Sequence, residues 1–138
     1  MNFAGVYHMK KLMCILLLIC VIFALCGCSQ TSLDKNATVT LTFIYDKEHI
    51  AVQLPEEEAS KVIEILNGNS YSSSYEIPSC GFDKNISVKV GDQAFAIARD
   101  TCKWVQDLDN LKYFTVAQED IEYIHSLFEK YGGYFPCI

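Results

Sequence analysis

Two stretches of apolar alternation, two amphipathic helical stripes and turn signals between them predict an α+β domain. In the order β-β-α-β-β-β-β-α, the strands are expected to form an antiparallel sheet covered by the two helices. The first strand reads from Val39, Leu41, Phe43 and Tyr45 on one face against Thr38, Thr40 and Thr42 on the other. Asp46-Lys47-Glu48 interrupts it, and Ile50, Val52 and Leu54 resume the alternation, so the two runs make a hairpin.

Pro55 at a first helical position, with Glu56, Glu57 and Glu58 beside the positive end of the helix dipole, starts the first helix. Ala59, Val62, Ile63 and Leu66 have the spacing of one helical face, and Gly68 is the expected stop. Residues 69–79 hold five serines and two tyrosines without a period, which reads as a loop. The next hairpin turns at Gly91-Asp92, and that turn sets Val88 opposite Phe95 and Ile86 opposite Ile97, so apolar residues meet apolar residues. Residues 103–106 and 111–116 form a further strand pair around the polar Asp107 to Asn110. Thr115 and Gln118 have the spacing of a capping box. Ile121, Ile124, Leu127, Phe128 and Tyr131 then line a helix that Gly132 ends and Pro136 keeps from resuming.

Ahead of this domain stands an address. Met9-Lys10-Lys11 is a basic start, and residues 12–25 contain no charge, the pattern of a secretory leader. Leu25-Cys26-Gly27-Cys28 resembles the bacterial lipobox, although Cys26 stands where alanine or serine is usual. The resemblance implies cleavage after residue 27 and a diacylglycerol on Cys28. The chain then divides into a leader (1–27), a lipidated cysteine with a polar, flexible tether (28–36), and a single extracytoplasmic domain (37–138) on the membrane. An uncleaved anchor helix is the competing reading of the same apolar run. Met1 and Met9 are both candidate starts.

Charge narrows the partners. The 138 residues carry a net charge of −6; losing residues 1–27 removes two lysines and no acid, leaving 111 residues at −8. A surface this acidic argues against nucleic acid and against adhesion to an anionic bilayer by charge alone. Two acyl chains would hold it there.

Cys80, Cys102 and Cys137 remain in the exported part, where an oxidising compartment favours a disulfide. The register of the second hairpin sets position 81 opposite 102, bringing Cys80 near Cys102. Parity is off by one, so a residue must rotate or the turn must bulge, and Cys137 stays open as a partner of either. A three-cysteine metal site completed by His49 or His125 lacks any C-x-x-C pair, and no metal is expected.

No catalytic constellation emerges. His49 lies beside a solvated turn, and His125 borders an apolar stripe. Asp107 and Asp109 begin a calcium-loop spacing but lack its glycine and terminal glutamate. No cofactor is expected. Arg99 and Asp100 sit where several segments converge, and Tyr71 and Tyr75 supply adaptable contact surface in the 69–79 loop. These four are the candidate ligand contacts.

Ser79-Cys80-Gly81-Phe82, Ala98-Arg99-Asp100-Thr101-Cys102, Lys112-Tyr113-Phe114 and residues 128–137 (FEKYGGYFPC) resemble an uncharacterised family of small exported or lipid-anchored proteins of clostridia and their relatives. The resemblance covers about the second half of the chain and implies no activity. It implies that the three cysteines and Tyr131-Gly132-Gly133 form a shared framework. The expected function is a lipid-anchored, non-enzymatic module binding a protein, peptide or glycan. The alternative is an inhibitor or regulator of an extracytoplasmic enzyme, acting through residues 69–79.

Overall fold

The computed structural model describes Met13 and residues 29–73, 78–100 and 102–132. Six strands are present among the described residues: β1 (Val39–Tyr45), β2 (Glu48–Gln53), β3 (Ser87–Val90), β4 (Gln93–Ile97), β5 (Trp104–Asp107) and β6 (Lys112–Thr115). Two helices, α1 (Glu56–Leu66) and α2 (Gln118–Gly132), stand after β2 and after β6. All the strands join one antiparallel sheet in the order β2-β1-β3-β4-β5-β6.

Each hairpin follows from its turn. Asp46 and Lys47 both take positive φ (48° and 68°), the twist a two-residue hairpin requires, and Tyr45 pairs with Glu48. Gly91 takes a φ of 58°, and Val88 faces Phe95 as the turn arithmetic predicts. The alternation places Val39, Leu41, Phe43, Val88, Val90, Phe95, Ile97, Val105 and Phe114 in one core with Val62, Ile63 and Leu66 of α1 and Ile121, Ile124, Leu127 and Phe128 of α2. Phe43 meets Phe128 edge-on, with ring centroids 6.1 Å apart. Lys130 of α2 reaches Glu58 of α1 at 2.5 Å, and the Tyr131 hydroxyl donates to the same carboxylate at 2.7 Å.

Several local expectations change. Pro55 is the residue before α1 and not its first member, with an extended ψ of 155°. Thr115 ends β6 and so does not cap α2, while the Gln118 amide donates forward to Glu122. Gly132 is the last described residue of α2, where the stop was expected, and its lack of a side chain also answers a packing need: a Cβ there would stand 2.9 Å from the Phe43 ring. Asp107, expected in a polar turn, is the last residue of β5 and is fully buried.

The largest difference lies before β1. The polar run expected to be a loose tether is built into the domain from Ser29 onward. Thr31 is only 2 % exposed; its N–H donates to the Asn69 carbonyl (2.9 Å), and its carbonyl accepts from Gly68 (3.0 Å). Tyr71 N–H donates to the Ser29 carbonyl, and Leu33 N–H to the Asn67 side chain. The cause is the end of α1, where the last carbonyls have no partner within the helix. The Thr31 hydroxyl takes Leu66 (2.7 Å), Asn69 Nδ2 takes Ile65 (2.7 Å), and Asn67 N–H takes Ile63 (2.9 Å). Cys28 and all of the leader except Met13 lie outside the described residues, and no helix among the described residues is long and apolar enough to cross a membrane.

Candidate functional site

Besides the Glu58–Lys130–Tyr131 contact, polar side chains gather at two more places among the described residues. The first is a clasp over the sheet face that carries Ala96 and Gln106, opposite the face of Phe95 and Val105. Cys80 and Cys102 are disulfide-bonded across 22 positions, with Cα atoms 6.1 Å apart. Gly81 accepts from Arg99 N–H (2.8 Å) and does not stand opposite residue 102. The reason is a turn at 83–86, where Ile86 N–H donates to the Asp83 carbonyl and Asn85 N–H to its carboxylate. That turn interrupts the ladder and removes the parity conflict in the sequence register. Phe82 then lies against Tyr113 (centroids 5.6 Å apart), whose hydroxyl accepts from Gln106 at 3.1 Å. Ser87, Ala96 and Ala98, on this outer face by parity, are buried.

Arg99 forms an ion pair with Asp83 at 3.8 Å, and Asp100 accepts from Cys102 N–H at 2.9 Å. Both predicted contacts are therefore braced within the clasp. The Asp100 carboxylate lies within 4.8 Å of the two sulfurs. Sulfurs bonded to each other are not thiolates, however, and thiolates are what bind metal. Ser79 and Lys84 are exposed beside the clasp. Tyr75 and Cys137 lie outside the described residues.

The second place is the mount of the N-terminal segment. Tyr71, predicted as a surface contact, turns inward: its ring meets Phe114 edge-on at 6.0 Å, and its hydroxyl donates to Asp107. Asp107 also accepts from the N–H groups of Asp109 and Asn110 (both 3.0 Å) and from Asn110 Nδ2 (2.9 Å). Burial pushes the Asp107 carboxyl up, but the Asn110 amide, the Tyr71 hydroxyl and the two N–H groups outweigh it and hold it below the usual range. Burial first, and the carboxylate second, push the Tyr71 phenol up to about 12. Lys112 completes the mount, donating to Ser29 Oγ (2.8 Å) with its nitrogen 5.1 Å from the Tyr71 ring centroid. Two surface cavities of about 290 and 460 Å³ both border Ala37 and Thr38, just before β1.

His125 contacts the Ala98 carbonyl at 3.1 Å, and His49 is exposed on β2. Burial holds His125 below the ordinary imidazole range, against the Ala98 carbonyl and the acidic Glu129, Glu122 and Asp100. The sequence did not show the part that Asp107, Thr31 and Lys112 play in this mount. The one available signal was Asp107 followed by Asn110, a carboxylate placed to accept from a turn. No family model, curated protein or solved structure matches the chain.

Proposed function

We propose that this chain is a lipid-anchored, extracytoplasmic binding module without enzymatic activity, held to the membrane through Cys28 and presenting the Cys80–Cys102 clasp to a protein, peptide or glycan. The observation that carries the reading is the disulfide itself, which suits the oxidising side of a membrane and agrees with the leader and lipobox-like sequence. The polar groups support a non-catalytic role, because Asp107, Glu58, Asp83 and His125 are each engaged in holding one segment to another. Two helices covering one face of the sheet would leave recognition to the other face and its clasp. The resemblance to small exported clostridial proteins fits a framework role for the cysteines. For the alternative, an inhibitor acting through residues 69–79, Tyr71 is already committed internally, so its contacts would come from the residues after it.

A photo-crosslinking residue at Ser79 or Lys84, introduced in the lipidated protein within its own cell envelope, tests this. Adducts from both positions, and none from Glu64 on the exposed side of α1, are expected. Equal labelling from all three, or none from any, would overturn the assignment.

A further inference from the structure

We infer that the domain sits directly on the bilayer with the β5–β6 tip in the headgroup layer, Leu111 entering it and Lys112 beside it. This rests on lipidation of Cys28. Cys28 is the residue before Ser29, one peptide bond away in the chain. Ser29 is not free to swing: its carbonyl accepts from Tyr71 and its hydroxyl from Lys112. No spacer then separates the lipid from the folded surface, and the surface around Ser29 must face the membrane.

Which surface that is follows from the registers. Asp107 pairs with Lys112, so residues 108–111 form the tip joining β5 to β6. Phe95 pairs with Asp107 and Val90 with Gln93, which puts the Gly91–Asp92 turn at the same end of the sheet. The Asp46–Lys47 turn closes the opposite end, because β1 pairs antiparallel with β3 and Val39, at the start of β1, meets Val90.

Leu111 is the second, independent observation. It is 71 % exposed, and its φ is 53°, a backbone region where a bulky side chain is strained and glycine or asparagine is ordinary. A hairpin tip gains nothing in the folded domain from a leucine that is both strained and wetted. A leucine beside a lipidated residue gains burial among acyl chains and headgroups, and a neighbouring lysine can extend its ammonium to lipid phosphate. Asp109, whose carboxylate accepts from Ala94 N–H, and Asp92 lie at the same end. Their charges work against adhesion, so the tip approaches only because the lipid brings it there.

The test places a single tryptophan at the tip. In a Trp104→Phe background, Leu111→Trp is purified in lipidated form and reconstituted into phosphatidylcholine vesicles containing brominated lipids. Tyr45→Trp, at the opposite end and 54 % exposed as tyrosine, serves as the control. Palmitate labelling is measured on the same samples. Bromine quenching of the tip tryptophan to less than half its intensity, with the control unquenched, is expected. Labelled protein with both tryptophans equally unquenched overturns the apposition and leaves the anchor standing. Protein without label overturns the anchor itself.

Discussion

Replacing Asp107 by alanine removes the acceptor that ties the tip, Tyr71 and the N-terminal mount together. The carboxylate is fully buried and accepts from the Tyr71 hydroxyl, the Asn110 amide and two backbone N–H groups. A hydrogen bond to a charged group contributes about 1.5–3 kcal/mol, and a buried donor left without a partner costs about 1–3 kcal/mol. The Asn110 and Asp109 donors lie at an exposed tip and can turn to water. The Tyr71 hydroxyl cannot do so as readily, and removing a buried charge returns some desolvation. The net loss for Asp107→Ala is therefore about 3 kcal/mol, a large share of the 5–15 kcal/mol typical of a domain. Tyr71→Phe removes one of the four donors and should cost about 1.5 kcal/mol. Because the two residues share a bond, the double variant should cost less than the sum by about 1 kcal/mol. Equilibrium urea unfolding of the four proteins reads all of these values. An Asp107→Ala protein within about 0.5 kcal/mol of the parent would refute the reasoning, since that is the scatter of ordinary surface substitutions.

Leu111→Gly should raise stability by about 1 kcal/mol by relieving the left-handed backbone, read as a higher urea midpoint; an unchanged or lower midpoint would contradict the strain argument. Reducing the Cys80–Cys102 bond, which joins residues 22 positions apart, should lower stability by about 3 kcal/mol, measured with and without reductant. His125, held below the ordinary value of 6.5 by burial, binds protons less readily folded than unfolded. Its contribution is thus intact above pH 6.5 and is lost as pH falls through the lowered value, so the urea midpoint should drop between pH 7 and 5. His125→Gln should flatten that drop, and equal slopes in both proteins would exclude the assignment.

The parts of the fold legible in the sequence are those whose cause is local. Alternation fixes which residues of β1 face the core, and Gly91-Asp92 fixes the β3–β4 register, because both act within a few residues. The N-terminal mount was hidden because Thr31 and Leu66 are 35 positions apart, and a polar run has no period to show that it caps a distant helix. Asp107 was misplaced for a related reason. A carboxylate ordinarily marks a solvated turn, and its burial is tolerated because Tyr71, 36 positions earlier, folds over it and joins the Asn110 amide and two backbone N–H groups in satisfying it. At the clasp, the pairing of Cys80 with Cys102 could be approached from the hairpin register, but the turn at Asp83 that resolves its parity could not.

The proposed function requires that this domain be exported, oxidised and carried on a lipid at Cys28. Intact-mass and peptide mass spectrometry of the protein from its own membranes, run without reductant, tests that claim most directly. A chain beginning at Cys28 with a diacylglyceryl adduct, and a linked peptide pair containing Cys80 and Cys102, are expected. A chain that begins at Met1 or Met9, or a Cys28 without lipid, would contradict it.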